Sequence, residues 1–230
     1  TISGIHSGNT GTLGDCGWGI GVENYGGTVT NTTIEGNTVT GNDAGIVFYG
    51  VDATNVAHYN KLSGNTFADL GNSGSVTIDA MANWWGQATG PASGQIYGNA
   101  SSNPWCTTED CKELQVATGG SIQDAIDLAP AGGTVHVAAG TFFESDITID
   151  KPLTLVGTGQ SQTIIGPALV SARGNTNSPE GSHTALLIKA NNVTIKDLTI
   201  DGNANTGLSP ATLNFHNGIY QPGISTNNLT

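Results

Sequence analysis

Short stretches in which apolar and polar residues alternate recur along the chain, and turns rich in glycine and asparagine separate them. Alternation with a period of two indicates β-strands that bury one face. The clearest stretches in the second half of the chain are 134–137, 147–149, 153–156 and 163–165. Each stretch is only three or four residues long, so the pattern predicts many short strands.

A Gly-Asn pair closes several of these stretches and recurs along the chain. The pairs are Gly8-Asn9, Gly36-Asn37, Gly64-Asn65 and Gly202-Asn203. The first three pairs are 28 residues apart, which predicts a solenoid with a coil of about that length. A Gly-Ile pair leads the coils, at Gly19-Ile20, Gly45-Ile46 and Gly218-Ile219.

In such a solenoid the strands stack in parallel about 4.8 Å apart, with Ile, Val and Leu side chains pointing inward. Asparagine tolerates the left-handed conformation of the corners, where its amide can bond the next asparagine in the stack. The sequence therefore predicts an all-β fold, a right-handed parallel β-helix. A β-sandwich with accidental repeats is the alternative.

One segment departs from the strand pattern and predicts a short amphipathic α-helix over 121–129. Ser121 is placed to cap its N-terminus, and Asp124 lies three residues later. Pro130 follows its end. Ile122, Ala125, Ile126 and Ala129 share one face.

Charge narrows the choice of partners. Charged residues make up 10 % of the chain, and the net charge of −12 would repel DNA or RNA. The acidic surface keeps the protein soluble or binds cations. Calcium is a candidate, with Asp15, Asp43 or Asp52 as ligands, but no spaced motif locates a site.

No apolar run is long enough to span a membrane, so we expect no insertion into a membrane. Because the sequence starts at Thr1 without a signal peptide, we expect it to be processed, excised or part of a longer chain.

Cysteines and glycosylation patterns favour an extracellular location. Cys106 and Cys111 enclose a short polar loop and predict a local disulfide rather than a zinc site. Cys16 is left over, either as a buried thiol or as a link to another subunit. Four Asn-X-Ser/Thr patterns are candidate glycosylation sites, at Asn31, Asn99, Asn192 and Asn228.

Two parts of the chain resemble the pectin lyase-like superfamily of right-handed β-helices. Segment 121–166 is similar to the start of such proteins, in which the helix caps the solenoid. The motifs Ala82-Asn83-Trp84-Trp85-Gly86, Gly90-Pro91 and Asn103-Pro104-Trp105 are similar to the family's final coil. The resemblance implies three segments in reversed order: the C-terminal half of a β-helix (1–105), a linker with the disulfide (106–120), and the capping helix with the N-terminal half (121–230).

The reversed order has three explanations. The chain is one period of a tandem array, a subunit whose halves complete two neighbouring β-helices, or a circular permutant. Joining 227–230 to 1–5 gives one more coil, with Gly8-Asn9 in the expected place. We favour the first two explanations, since a cut inside a coil otherwise leaves a frayed edge.

The resemblance also implies an enzyme alternative, a polysaccharide lyase or hydrolase. The family's Asn-Thr-Asp, Asp-Asp, Gly-His-Gly and Arg-Ile-Lys strings are absent, and Arg173 is the one arginine. The remaining candidates for catalysis are scattered: Asp201 near His216, and His58 or Asp79. Trp84 and Trp85 could stack on sugars, but core packing is favoured.

We therefore predict no catalytic residues and no cofactor. The predicted function is an extracellular structural module that binds copies of itself end to end, in a filament, sheath or surface layer. The alternatives are the polysaccharide lyase or hydrolase and an adhesin module that binds glycans.

Overall fold

The computed structural model describes residues 1–8, 11–168, 183–205 and 214–222. The chain is a parallel β-solenoid with one short helix, which confirms the predicted fold class. It divides into two compact units, Thr1–Cys111 and Lys112–Thr230, called here the first and second unit.

The first unit consists of short strands in three parallel stacks. The strands are β1 (Trp18–Glu23), β2 (Thr33–Glu35), β3 (Thr38–Thr40), β4 (Ala44–Tyr49), β5 (Val56–His58), β6 (Lys61–Ser63), β7 (Ala68–Asn72), β8 (Ile78–Asp79), β9 (Ile96–Tyr97), β10 (Ala100–Ser101) and β11 (Trp105–Cys106). The stacks run β1-β4-β7-β9, β2-β5-β8-β10 and β3-β6. Each turn of the chain adds one strand to each of the first two stacks, whereas the third stack has two strands.

The strand register corrects the predicted 28-residue period. Thr33 pairs with Val56 and Thr38 with Lys61, so one coil spans 23 residues in these two stacks. Each coil has two asparagine corners, five residues apart. Asn37 lies beside Asn60, and Asn65 lies beside Asn42. The 28-residue interval between Gly-Asn pairs therefore equals one coil of 23 residues plus the five residues that separate its two asparagine corners.

The asparagines form the predicted ladders inside the solenoid. The backbone N–H of Asn37 donates to Oδ1 of Asn60, 3.0 Å away, and that of Asn60 donates to Oδ1 of Asn83, 2.8 Å away. The amide of Asn83 also donates to the backbone oxygen of Ala57, in the preceding coil. Coil-to-coil spacing is thus held at the corners as well as in the strands.

Inward-pointing apolar side chains fill the first unit. Its core includes Ile46, Phe48, Leu62, Leu70, Ile78 and Trp85. Trp85 is 1 % exposed, which confirms core packing for this side chain, whereas Trp84 is half-buried.

The second unit begins with a strand, then the helix, then three further parallel stacks. The elements are β12 (Glu113–Val116), α1 (Ile122–Leu128), β13 (Gly133–Val137), β14 (Gly140–Phe143), β15 (Ile147–Ile149), β16 (Leu153–Gly157), β17 (Thr163–Gly166), β18 (Thr184–Ile188), β19 (Val193–Lys196), β20 (Thr199–Ile200) and β21 (Asn217–Tyr220). The stacks run β12-β13-β16-β19, β14-β17-β20 and β15-β18-β21. Strand β12 lies inside segment 106–120, which the sequence predicts to be a linker.

The helix begins where the sequence predicts. The Ser121 hydroxyl accepts a hydrogen bond from the N–H of Asp124, 3.1 Å away, and the predicted apolar face is buried. Glu144 supplies a second cap, because its carboxylate accepts from the N–H groups of Ile122 and Gln123 at 2.6 and 3.1 Å. Burial raises the pKa of Glu144, while these bonds oppose that effect.

Candidate functional site

A groove lies on the outer face of the β1-β4-β7-β9 sheet in the first unit. The loop between residues 11 and 17 folds back over this sheet. Gly71 makes room for Leu13 of the loop, and Gly21 makes room for the ring of Trp18 in β1. A Cβ at Gly71 would lie 2.5 Å from a methyl group of Leu13, and one at Gly21 would lie 2.5 Å from the Trp18 ring. The loop forms one wall of the groove, and the ends of the strands form the other.

Two tyrosines flank this groove, which has a volume of about 360 Å³. Tyr49 is 37 % exposed and Tyr97 is 48 % exposed. Trp18 stacks on the Tyr49 ring, with 5.7 Å between ring centroids and 28° between planes. Phe67 packs against Tyr97, with 5.2 Å between centroids. Both rings are therefore held in place by an aromatic neighbour.

Sequence reasoning missed these tyrosines. The signal was present, because the inward side chain of Phe48 places its neighbour Tyr49 on the outer face. The pattern of alternation does not show that the loop folds back over the sheet, or that Gly71 leaves space for it.

The groove is polar but uncharged. None of its nine lining residues is acidic or basic. The Asn72 amide is fully engaged, since it donates to the backbone oxygens of Val76 and Asn99. The Ser73 hydroxyl accepts the N–H of Gly50 at 3.1 Å and keeps its own hydrogen for another acceptor. The groove thus offers hydroxyl groups beside aromatic faces.

Asp43 organises the loop that precedes β1. Its carboxylate accepts from the N–H groups of Ser7 and Gly17 at 2.8 and 3.0 Å, and its Oδ1 lies 2.7 Å from Nδ1 of His6. The bond with His6, together with those two N–H donors, lowers the pKa of Asp43 to about 2. Burial raises the pKa of the neighbouring Cys16 thiol, as do Asp43 and Asp15, so this free, buried cysteine is a poor nucleophile.

The candidate calcium ligands have other partners. Asp15 accepts from the Thr12 hydroxyl at 2.8 Å, and Asp52 accepts from the N–H of Thr54 at 3.0 Å. Within the described ranges no three His, Cys, Asp or Glu side chains form a group that could hold a metal.

Two of the scattered catalytic candidates, His58 and Asp79, contact each other in the structure. His58 Nε2 lies 2.9 Å from Oδ1 of Asp79, between neighbouring strands β5 and β8. Both side chains are largely covered, at 15 % and 31 % exposed, which suits a contact between coils better than substrate access. His136 pairs with Glu113 in the same way, at 2.8 Å.

The other pair of candidates has separate contacts. Asp201 accepts from the N–H of Asn203 at 2.9 Å, while Nδ1 of His216 lies 3.4 Å from the amide of Asn217. Arg173 lies outside the described residues.

The predicted disulfide is present. Cys106 and Cys111 are bonded, with 4.9 Å between their Cα atoms. Three candidate glycosylation sites, Asn31, Asn99 and Asn192, are exposed. Asn228 lies outside the described residues.

Comparison with known proteins gives no match. No protein-family model, no curated protein and no solved structure aligns with the chain. Across the described ranges, no helix has the length and apolar character of a membrane span. The chain is therefore classified by its fold alone, as a parallel β-solenoid.

Proposed function

We propose that the chain is an extracellular structural module that assembles end to end into a filament, sheath or surface layer. Assembly proceeds as a tandem repeat or by complementation between subunits. The observation that carries the proposal is the exposure of inward-facing isoleucines in the outermost coils of both units.

Among the described residues of the second unit, three inward rows of side chains end at isoleucines. The rows are Val135-Leu155-Ile195, Phe142-Ile165-Ile200 and Ile147-Leu186-Ile219. The preceding members of these rows are buried, whereas Ile195 and Ile200 are half-buried and Ile219 is 47 % exposed. These isoleucines line a cavity of about 410 Å³, as the core of a solenoid would if one more coil were missing.

The outermost coil of the first unit has a matching arrangement. Ile2, Ile20 and Ile34 lead the inward rows that continue through Val39, Ile46 and Ala57. Ile2 and Ile20 are half-buried. Ile34 is 7 % exposed. The first unit therefore presents two half-buried isoleucines at this end, and the second unit presents three.

Strand edges support the same assembly. Within the ranges given above, no strand pairs with the outer edges of β1 and β2, or with those of β19, β20 and β21. Unpaired edges are templates for another strand, and in a parallel solenoid the added strand has the same direction. A second copy would satisfy both the backbone groups and the isoleucines.

The remaining features agree with this proposal. The pectin lyase-like resemblance in reversed order is expected of a chain whose coils continue into another copy. A disulfide and exposed glycosylation patterns fit an extracellular location. The adhesin alternative is favoured by one observation, the tyrosine groove, which is considered below.

Electron microscopy and light scattering of the purified protein test the proposal. We expect filaments or large oligomers from the wild type, with a denaturing-gel band near 23.3 kDa for a non-covalent polymer and a far larger band for a tandem array. Ile219→Asp should abolish non-covalent assembly, because it places a charge in the contact. Phe143→Asp is the matched control, since Phe143 is 49 % exposed but lies outside the end rows. A monodisperse 23.3 kDa wild type, or equal loss in both variants, would contradict the proposal.

A further inference from the structure

We propose that the groove between Tyr49 and Tyr97 binds a neutral oligosaccharide chain. The groove, here the tyrosine groove, is lined by Thr12, Leu13, Gly14, Tyr49, Ser73 and Tyr97, among others. This function is separate from assembly, because the groove lies on the outer face of a sheet and the assembly proposal uses strand edges and inward rows.

Tyrosine faces provide the apolar part of the site. One face of a pyranose ring carries C–H groups that pack well on an aromatic ring, while its hydroxyl groups point outward. Tyr49 and Tyr97 lie on the outer surface in the two coils that flank the coil of Ser73. Two rings at the sides of an open groove suit a chain of several sugars better than a compact small molecule.

The ring positions are preorganised. Trp18 stacks behind Tyr49, and Phe67 packs against Tyr97. Gly14 also lies against Tyr49, since a Cβ there would be 3.3 Å from the phenolic oxygen. A ligand that binds rings already held in place loses little affinity to the ordering of side chains.

Hydroxyl groups provide the polar part. The Ser73 hydroxyl accepts from the N–H of Gly50 and has a hydrogen left to donate. The Thr12 hydroxyl donates to Asp15 and can accept a bond from the ligand. A site with hydrogen-bond donors and acceptors but no charged side chains matches the hydroxyl groups of a sugar.

Charge decides which sugar is bound. The lining residues are uncharged, and Lys61 is the one lysine or arginine in 1–111. Lys61 is paired with Glu109, at 2.9 Å between Nζ and Oε1. A polyanionic chain such as a galacturonan would find no counter-charge and would be repelled by the acidic unit. A cation would find no carboxylate in the groove. An uncharged chain avoids both penalties.

Titration with neutral and acidic hexasaccharides tests the inference. Cello-, manno-, xylo- and maltohexaose are added to the full chain, with oligogalacturonate as the acidic probe. Binding is followed by calorimetry and by tryptophan fluorescence, to which Trp18 contributes with three other tryptophans. We expect at least one neutral hexasaccharide to bind and the acidic probe to bind at least tenfold more weakly. Tyr97→Ala should weaken binding about tenfold, because it removes one stacking face.

Tyr25→Ala is the matched control, because Tyr25 is 91 % exposed in the same unit but lies outside the groove. Its affinity should equal that of the wild type. Should Tyr97→Ala unfold, Tyr49→Phe and Ser73→Ala, which remove single hydroxyl groups, should each still weaken binding severalfold. The inference is overturned if no neutral hexasaccharide binds the folded wild type, if oligogalacturonate binds more tightly, or if Tyr25→Ala and Tyr97→Ala lose affinity equally.

Discussion

Asn60 and Asn83 occupy the same corner of successive coils, and the backbone N–H of Asn60 donates to the side-chain oxygen of Asn83 at 2.8 Å. The amide of Asn60 donates in turn to the backbone oxygen of Ile34, at 2.8 Å, in the coil on its other side. Both asparagines are fully buried. A single side chain thus ties three coils together at a point where the backbone turns and cannot form strand pairs.

Replacing Asn60 should therefore destabilise the first unit strongly. Asn60→Ala leaves the buried backbone oxygen of Ile34 and the partly buried N–H of Asn37 without these partners. We expect a loss of about 3 kcal/mol in the free energy of unfolding. Asn37→Ala is the matched control, since Asn37 is half-buried at the start of the same ladder and should cost about 1 kcal/mol. Urea denaturation measures the free energy of unfolding of both variants. Equal losses would show that the contacts of Asn60 with its two neighbouring coils do not cause the destabilisation.

The glycine of one Gly-Ile pair, Gly45, has a steric basis that a second substitution tests. A Cβ at Gly45 would overlap the backbone oxygen of Asp69 in the next coil, whereas the nearest atom to a Cβ at Gly218 is 3.8 Å away, on Ile200. Gly45→Ala should thus cost about 2–3 kcal/mol, because the backbone cannot yield as a side chain can.

Gly218→Ala is the control and should change the melting temperature little. Differential scanning calorimetry compares the two variants with the wild type. A tolerated Gly45→Ala would mean that strands β4 and β7 are spaced more widely at this position than the structure describes.

The local elements were predictable from sequence because their causes are local. Strand β15 and the helix cap at Ser121 follow from alternation and from capping chemistry, and both lie where they were expected. The disulfide between Cys106 and Cys111 followed from a short polar loop.

The errors and omissions arise from contacts between coils. The period was wrong because identical Gly-Asn pairs occupy two different corners, and only the strand register distinguishes them. The pairing of His6 with Asp43 joins residues 37 positions apart, and no pattern of alternation signals it. The tyrosine groove depends on a loop that folds back over the sheet, so its residues are distant in sequence.

The disulfide should contribute modestly to stability. Cys106 and Cys111 are separated by five positions, so the bond closes a short loop and removes little entropy from the unfolded chain. We expect Cys106→Ala/Cys111→Ala to lower the free energy of unfolding by about 2 kcal/mol in urea. Reductant should then have no further effect on the double variant. Alkylation of the unfolded wild type should modify one thiol, Cys16, before reduction and three after it; three before reduction would contradict the assignment.

Asp43 should make the first unit sensitive to acid. Its pKa is lowered from 3.8 to about 2, chiefly by the bond with His6, so the folded state holds the charged form more firmly than the unfolded state does. This stabilisation is fully present above pH 4 and is lost as the pH falls from about 4 towards 2.

Asp43→Asn should be less stable than the wild type at pH 6, and the difference in stability should shrink as the pH approaches 2. Asp150→Asn, at an exposed carboxylate, is the control and should follow the wild type. Urea midpoints at pH 2.5, 4 and 6 measure the effect, and a difference between Asp43→Asn and wild type that stays constant with pH would contradict it.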